Sequence, residues 1–319
     1  MNFVLVGDDF PAAQTLKLLL EYPNIQVAMV FSSPQPERSA KVKALAEQNL
    51  IPFQNSDLIK KQDGLSLLGA QHFDWLININ STVVIPSAIL ELSRAGALNM
   101  HPGLLPAYAG LHTHQWALRN GEQTFGSTIH FIEPRVDVGD IVLQRQFPIK
   151  KTDTGLSLFY NCIREGILGM RTVLEDILVE KPLVRQKQDL SKYHLYRHRD
   201  ALDGRIDWHW SAEQVERFVR AGNYVPFQSP TYTAYIGPLA VEDQTFEIEV
   251  LGVTPVPVLV TDVPGKVFAE SSKPPTVVCK EGAIRLDQCR LRGQGGTLSL
   301  DELNKLLLDG IILKGRESN

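Results

Sequence analysis

Ala97-Leu98-Asn99-Met100-His101-Pro102-Gly103-Leu104-Leu105-Pro106-Ala107-Tyr108-Ala109-Gly110 begins as a short apolar strand and reaches an amide and an imidazole two positions apart. Side chains alternate along an extended segment, so Asn99 and His101 share one face. Pro102 lacks a backbone donor and discourages the strand from continuing. Two polar groups displayed together at a strand end is how an open α/β sheet presents chemistry. Residues 3–6, 25–31, 51–53 and 73–79 are further short apolar runs, with helical stripes between them (Leu16, Leu19 and Leu20, then 40–48). Strand alternating with helix predicts a parallel, doubly wound α/β sheet.

The first turn of that sheet, Val6-Gly7-Asp8-Asp9, is not G-x-G-x-x-G. It puts two carboxylates where a pyrophosphate needs donors, which excludes a dinucleotide site there. Beyond Gly126, residues 127–132 and 141–147 alternate like strands around the loop Pro134-Arg135-Val136-Asp137-Val138-Gly139-Asp140. A helix is expected over 154–179, with Leu156, Leu158, Phe159, Cys162 and Ile163 on its apolar stripe. Residues 183–205 are polar without periodicity and read as a linker. Ser211 and Gln214 have capping-box spacing ahead of Val215, Phe218 and Val219, and Gly222 closes that helix. Strand candidates at 231–236, 245–251, 265–268, 276–279 and 283–286, broken by Pro and Gly, predict a small β-barrel or sandwich. The expected division is 1–185, a linker at 186–205, and a β domain at 206–319.

Composition limits the function. A chain of 319 residues with 44% hydrophobic and 21% charged residues has an ordinary globular balance and room for two domains. A net charge of −4 and a pI near 6.1 show no basic excess, which argues against a nucleic-acid-coating surface. Cys162, Cys279 and Cys289 have no CxxC spacing and read as reduced thiols. Residues 1–7 lack a basic n-region, and no run reaches the roughly 18 apolar residues of a membrane span. A cytoplasmic protein without membrane partners is expected.

Asn99, His101 and Asp137 suit acyl transfer to an amine without a covalent enzyme intermediate. An oxyanion on the acyl carbon needs donors, which Asn99 and a protonated His101 supply. A carboxylate beside the imidazole is expected to raise its pKa and to help relay the amine's proton. Taken alone, an Asn and a His at a strand end are more often structural, and Asp137 is a common turn residue.

Asn99-Met100-His101-Pro102-Gly103-Leu104-Leu105-Pro106 resembles the N-x-H-x-S-L-L-P signature of 10-formyltetrahydrofolate-dependent formyltransferases, and Val136-Asp137-Val138-Gly139-Asp140-Ile141 resembles their D-x-G-D/Q-I loop. The resemblance implies a Rossmann-like catalytic domain, a formyl group carried on folate N10, no metal, and Asn99, His101 and Asp137 as catalytic triad. It places Thr82, Val83, Val84, Ile85, Leu104, Val136, Gly139 and Asp140 at the folate cleft. Gly103 stands where Ser is usual, and Ala107 and Ala109 stand where Arg is frequent. Arg205-Ile206-Asp207-Trp208, Pro264-Gly265-Lys266-Val267 and Glu281-Gly282-Ala283-Ile284-Arg285-Leu286 resemble the OB-like C-terminal domain of methionyl-tRNA formyltransferase.

That tRNA enzyme carries a basic, Gly-rich insertion after its second strand. Residues 32–42 are short and charge-balanced here, which ranks tRNA below a small-molecule or carrier-tethered amine. Tyr224, Phe227 and Tyr232 lie in an aromatic, Pro-rich stretch that by the resemblance falls on the acceptor side, although a packed loop explains it equally well. Competing readings are a metal hydrolase built on His101, His112, His114 and Asp137, a formyl-folate hydrolase using the same triad, and a silent folate-binding module. His112 and His114 read more simply as partly exposed residues at a helix start. His72, His130, His194 and His198 read as structural or surface positions.

Overall fold

A computed structural model describes residues 1–200, 203–241, 244–257 and 262–316. The chain forms two compact units, one of residues 1–113, 124–148 and 160–196, the other of 114–123, 149–159 and 197–316 within the described range. In chain order the elements through the first part are β1 (Asn2–Gly7), α1 (Asp9–Leu20), β2 (Gln26–Ser32), α2 (Pro36–Gln48), β3 (Phe53–Asn55), α3 (Gln62–Gly69), β4 (Trp75–Ile79), α4 (Ser87–Leu90), β5 (Gly96–His101), β6 (Ala109–Gly110), α5 (Thr113–Asn120), β7 (Thr124–Phe131), β8 (Ile141–Pro148), α6 (Gly155–Leu178) and β9 (Leu195–Tyr196).

The central sheet has the order β3-β2-β1-β4-β5-β7-β8. The strands from β3 to β5 are parallel. Phe3, Val4, Leu5 and Val6 are fully buried, as expected of a strand covered on both faces. β7 and β8 run antiparallel to their neighbours, so the sheet is mixed and not wholly parallel. Residues 132–140 are too few for a parallel crossover, which takes about a dozen residues or more, so β7 and β8 close as a hairpin. The stretch expected as a linker contains β9, which pairs in parallel with β6. Its polar side chains conceal a role played by its backbone.

The second unit contains α7 (Ala212–Gly222), β10 (Tyr235–Val241), β11 (Gln244–Val256), β12 (Val267–Glu270), β13 (Lys273–Val278), β14 (Ala283–Leu291) and α8 (Leu300–Leu306). Its strands form an antiparallel, curled, OB-like sheet of order β10-β11-β14-β13-β12. Trp208, Val215, Phe218, Ile248 and Ile284 are in its core. Register shifts in β10 and β11 bend the strands, as bulges do. β10 starts and ends later than the sequence suggests. Gly237 and Pro238 fall at its register shift on the sheet edge, a place where a strand tolerates Pro. The capping box at α7 forms, with Gln214 N–H donating to Ser211 Oγ at 3.2 Å and Ser211 N–H donating to Gln214 Oε1 at 2.9 Å. Among the described residues, no helix is long and apolar enough to cross a membrane.

Candidate active site

β5 lies between β4 and β7, and the register sets Asn78 and His130 on either side of Asn99. Paired residues share a face, so Asn78, Asn99 and His130 form a polar row across three strands. Asn78 Nδ2 donates to Asn99 Oδ1 at 3.0 Å, and Asn99 Nδ2 lies 3.0 Å from His130 Nε2. His130 Nδ1 is 2.8 Å from the Phe131 carbonyl oxygen. A carbonyl only accepts, which assigns a proton to Nδ1; Nε2 lies between the Asn99 amide and Asp137 Oδ1, accepting from Asn99 when bare and donating to Asp137 when it carries a proton. Asn99 is thus locked with its oxygen toward β4 and its NH2 toward β7.

Asp137 reaches the same face from the hairpin loop. Its φ of 54° lies in the left-handed region, which Asp tolerates better than most residues. Oδ2 accepts from the Gly110 N–H at 2.8 Å and lies 3.6 Å from His101 Nδ1, while Oδ1 lies 3.4 Å from His130 Nε2. His101 Nε2 is 2.6 Å from the Tyr108 carbonyl oxygen, to which it donates. A proton added to neutral His101 therefore belongs on Nδ1, between the ring and Asp137.

Burial would raise the Asp137 carboxyl, but His101, His130 and the Gly110 N–H outweigh it and hold the group well below the usual carboxylate range. Burial moves His101 the other way, below the ordinary imidazole value, against the opposing pulls of Asp137 and the Tyr108 carbonyl. The carboxylate was expected to raise His101. The ring is 4% exposed, and desolvation wins. Burial thus works against an imidazolium at His101, and the Asp137 carboxylate works for one.

Gly103 fits this packing. An added Cβ would stand 2.6 Å from His101 Nε2, 2.7 Å from the Tyr108 oxygen and 2.9 Å from Thr113 Oγ1. A Ser at 103 is thus incompatible with the His101–Tyr108 hydrogen bond as it stands.

The residues assigned to a folate cleft divide by exposure. Val83 and Ile85 are in the core, whereas Thr82 and Val84 face outward. Among the described residues, the N–H groups of Val84 and Ile85 have no hydrogen-bond partner. Leu104 and Asp140 are half-buried, Val136 is exposed and Gly139 is buried. An added Cβ at Gly139 would collide with the Phe131 carbonyl oxygen. Asp8, after β1, is buried and occupied by Arg38 at 2.9 Å, the Ser32 hydroxyl at 2.9 Å and the Ser33 N–H at 2.6 Å.

Of the acceptor-side candidates, Tyr232 stacks on Phe218 at 4.3 Å and donates its hydroxyl to the Phe218 carbonyl at 3.0 Å. Tyr224 is buried and hydrogen-bonded to His114 Nε2, and Phe227 is exposed. His114 is itself buried, not partly exposed as its position suggested. Among the described residues, no group of three His, Cys, Asp or Glu is arranged to hold a metal ion.

His130 escaped the sequence reading. An isolated His in an alternating strand looks structural, and only the β5–β7 register brings it to Asn99.

The chain matches the formyl transferase family over residues 2–166 and the formyl transferase C-terminal domain over residues 200–302. A methionyl-tRNA formyltransferase of Pseudomonas syringae pv. tomato is 29% identical, the match covering 95% of this chain and 94% of that protein. A GDP-perosamine N-formyltransferase of Brucella melitensis is 34% identical over 48% of this chain and 58% of its own length. An N-formyltransferase from Helicobacter canadensis, solved with folinic acid and dTDP-3-aminofucose, shares the fold with a TM-score of 0.65 at 16% identity, covering 89% of this chain and 98% of that one. The sugar 3N-formyltransferase WlaRD, solved with dTDP and 5-N-formyl-THF, shares it with a TM-score of 0.67 at 17% identity over 92% and 99% of the two chains.

Proposed function

The chain belongs to the formyl transferase family, and from that premise we propose that it moves a formyl group from N10-formyltetrahydrofolate to the primary amine of a small-molecule or carrier-tethered acceptor. The observation that carries this reading is the convergence of Asn99, His101 and Asp137 on one sheet face. Residues 1–185 are taken as the catalytic domain, 186–205 as the connection, whose first part up to Tyr196 packs back on the first unit, and 206–319 as the C-terminal domain.

The residues present fit the folate. The N–H groups of Val84 and Ile85 suit the hydrogen-bonding edge of a flat heterocycle, and exposed Val84 and Val136 with half-buried Leu104 offer apolar surface. The bound donor supplies an activated formyl carbon. Asn99, oriented by Asn78 and His130, presents an N–H where the formyl oxygen gains negative charge as the amine attacks. His101 holds the departing amine proton at Nδ1, and Asp137 stabilises the imidazolium so formed. That proton would pass to folate N10 as its bond to the formyl carbon breaks, leaving tetrahydrofolate and the formylated amine. Asn99 carries the donor role, and the burial of His101 favours its acting as the base.

Ion pairing across the C-terminal sheet favours a small acceptor. Arg290 is neutralised by Glu249 at 2.5 Å, Arg292 by Glu247 at 2.6 Å and Arg285 by Asp287 at 2.5 Å. Arginines engaged in this way have little left for phosphates. The initiator tRNA remains the second reading, favoured by the nearly full-length match to a methionyl-tRNA formyltransferase.

The test supplies 10-formyltetrahydrofolate with nucleotide-linked amino sugars, amino acid derivatives, carrier-tethered aminoacyl groups and initiator aminoacyl-tRNA in turn. Stoichiometric formation of tetrahydrofolate and formylated amine identifies the acceptor. A product only from the tRNA overturns the small-acceptor reading, and formate released at the same rate without any amine makes the protein a hydrolase.

A further inference from the structure

Residues 186–196 lie beyond the stretch matched to the catalytic family domain and before the C-terminal match, yet they touch both motif loops of the site. On the Asp137 side, Gln186 exchanges two backbone hydrogen bonds with Ile141, at 2.8 and 3.0 Å. Gln188 Nε2 donates to the carbonyls of Asp137 at 3.0 Å and Gly139 at 2.7 Å. Both partners are acceptors, so the amide orientation is fixed: its oxygen cannot take their place. The Tyr193 hydroxyl donates to the Val136 carbonyl at 3.0 Å.

On the other side, Ala109 N–H donates to the His194 carbonyl at 3.0 Å, and Leu111 N–H to the Tyr196 carbonyl at 2.9 Å. This pairing brackets Gly110, whose N–H is the one given to Asp137 Oδ2. A Cβ at Gly110 would collide with the Tyr196 carbonyl oxygen. Tyr193 and Leu195 pack on Leu105, Ala109 and Ile141, anchoring the segment with apolar contacts as well.

We propose that this segment is a third component of the active site, in which Gln188 is a positioning residue for Asp137 while residues 194–196 hold the Gly110 donor against the same carboxylate. A residue of positive φ is held only when its surroundings over-determine it, and the Tyr193 bond to the Val136 carbonyl and the Gln188 bond to the Asp137 carbonyl hold the peptides on either side of Asp137. The proposal rests on the reading that Asp137 and His101 act as a pair.

The charged groups acting on the His101 ring are Asp137 and His130. Glu133, Arg135, Asp140, Arg185, Lys187, Asp189, Lys192, Tyr193, His194 and Tyr196 complete the titratable groups on the loop and the segment, and of these only Tyr193 is altered below, in Y193F.

The experiment follows the His101 ring through pH by NMR in wild type, Q188A, Y193F and D137N, with the resonance assigned by its loss in H101N. Asp137 opposes the burial of His101, so a displaced carboxylate moves the midpoint to lower pH. D137N removes the whole effect, about 1–3 units for a carboxylate this close, and Q188A is expected to remove roughly half a unit to one unit. With the acceptor identified above, kcat of Q188A is expected to fall roughly 10- to 100-fold, while the Kd for 5-formyltetrahydrofolate stays at its wild-type value.

If D137N moves the midpoint and Q188A does not, the positioning role is overturned and the His101–Asp137 pair stands. If D137N also leaves it in place, the pairing itself fails. A rate loss in Q188A with an unmoved midpoint marks a merely structural contact and overturns the proposal. Should Q188A not fold, Y193F decides: a smaller shift in the same direction supports the proposal, and an unmoved midpoint overturns it.

Discussion

Asn99 donates its side-chain N–H to His130 across two antiparallel strands, so the amide expected to meet the formyl oxygen is aimed by a residue of another strand. In His130→Ala that aim is lost while Asn99 remains. A missing oxyanion donor costs about 10²–10³-fold in kcat, and a misaimed one is expected to cost roughly tenfold. Steady-state kinetics should show the loss in kcat, with the KM for the folate donor little changed.

Asp137→Ala removes the carboxylate that three neighbours hold in its charged form. Acid–base groups in position contribute about 10²–10⁴-fold, and a drop of that size is expected while 5-formyltetrahydrofolate still binds. A near wild-type rate would remove Asp137 from the mechanism.

Gly103→Ser puts a Cβ against His101, the Tyr108 carbonyl and Thr113. Overpacking of this kind costs about 1–3 kcal/mol. Urea unfolding should show a lower midpoint at unchanged m, and the His101–Tyr108 hydrogen bond should be lost.

Stability should fall on acidification in two stages. His101 is depressed below its ordinary value near 6.5, so the unfolded chain binds the extra proton first. Its contribution is full above about pH 6.5 and declines below it, at no more than about 1.4 kcal/mol per pH unit. Asp137, depressed in the folded state, contributes fully above about pH 4 and is lost as pH falls through its lower folded value. Urea midpoints against pH should show the first decline in wild type and its absence in H101N.

Cys279 and Cys289 are buried, and desolvation pushes both thiols up to about 12. Thiolates are the reactive form. A thiol reagent at neutral pH is expected to label them only as fast as the second unit opens, and rapid native-state labelling would contradict this packing.

The parallel strands were legible because burial on both faces leaves near-continuous apolar runs such as residues 3–6. Strand direction was not legible in the alternation itself, which reads the same either way; for β7 and β8 it follows from the short connection at 132–140, which closes only as a hairpin. Asn99, His101 and Asp137 could be found from two motifs. His130 and Gln188 could not, since each gains its role from a partner that only folding brings near. The helix α8 was legible and overlooked: Ser299 and Glu302 make the same reciprocal cap as Ser211 and Gln214.

The segment that closes over Asp137 also bears on how such a chain can be shuffled. A catalytic module cut at residue 166, where the family match ends, would keep every residue of the triad and lose Gln188, Tyr193 and the strand beside Gly110. On the proposed role of Gln188, a working exchange of C-terminal modules is expected to join after Tyr196 and to carry residues 186–196 with the catalytic part.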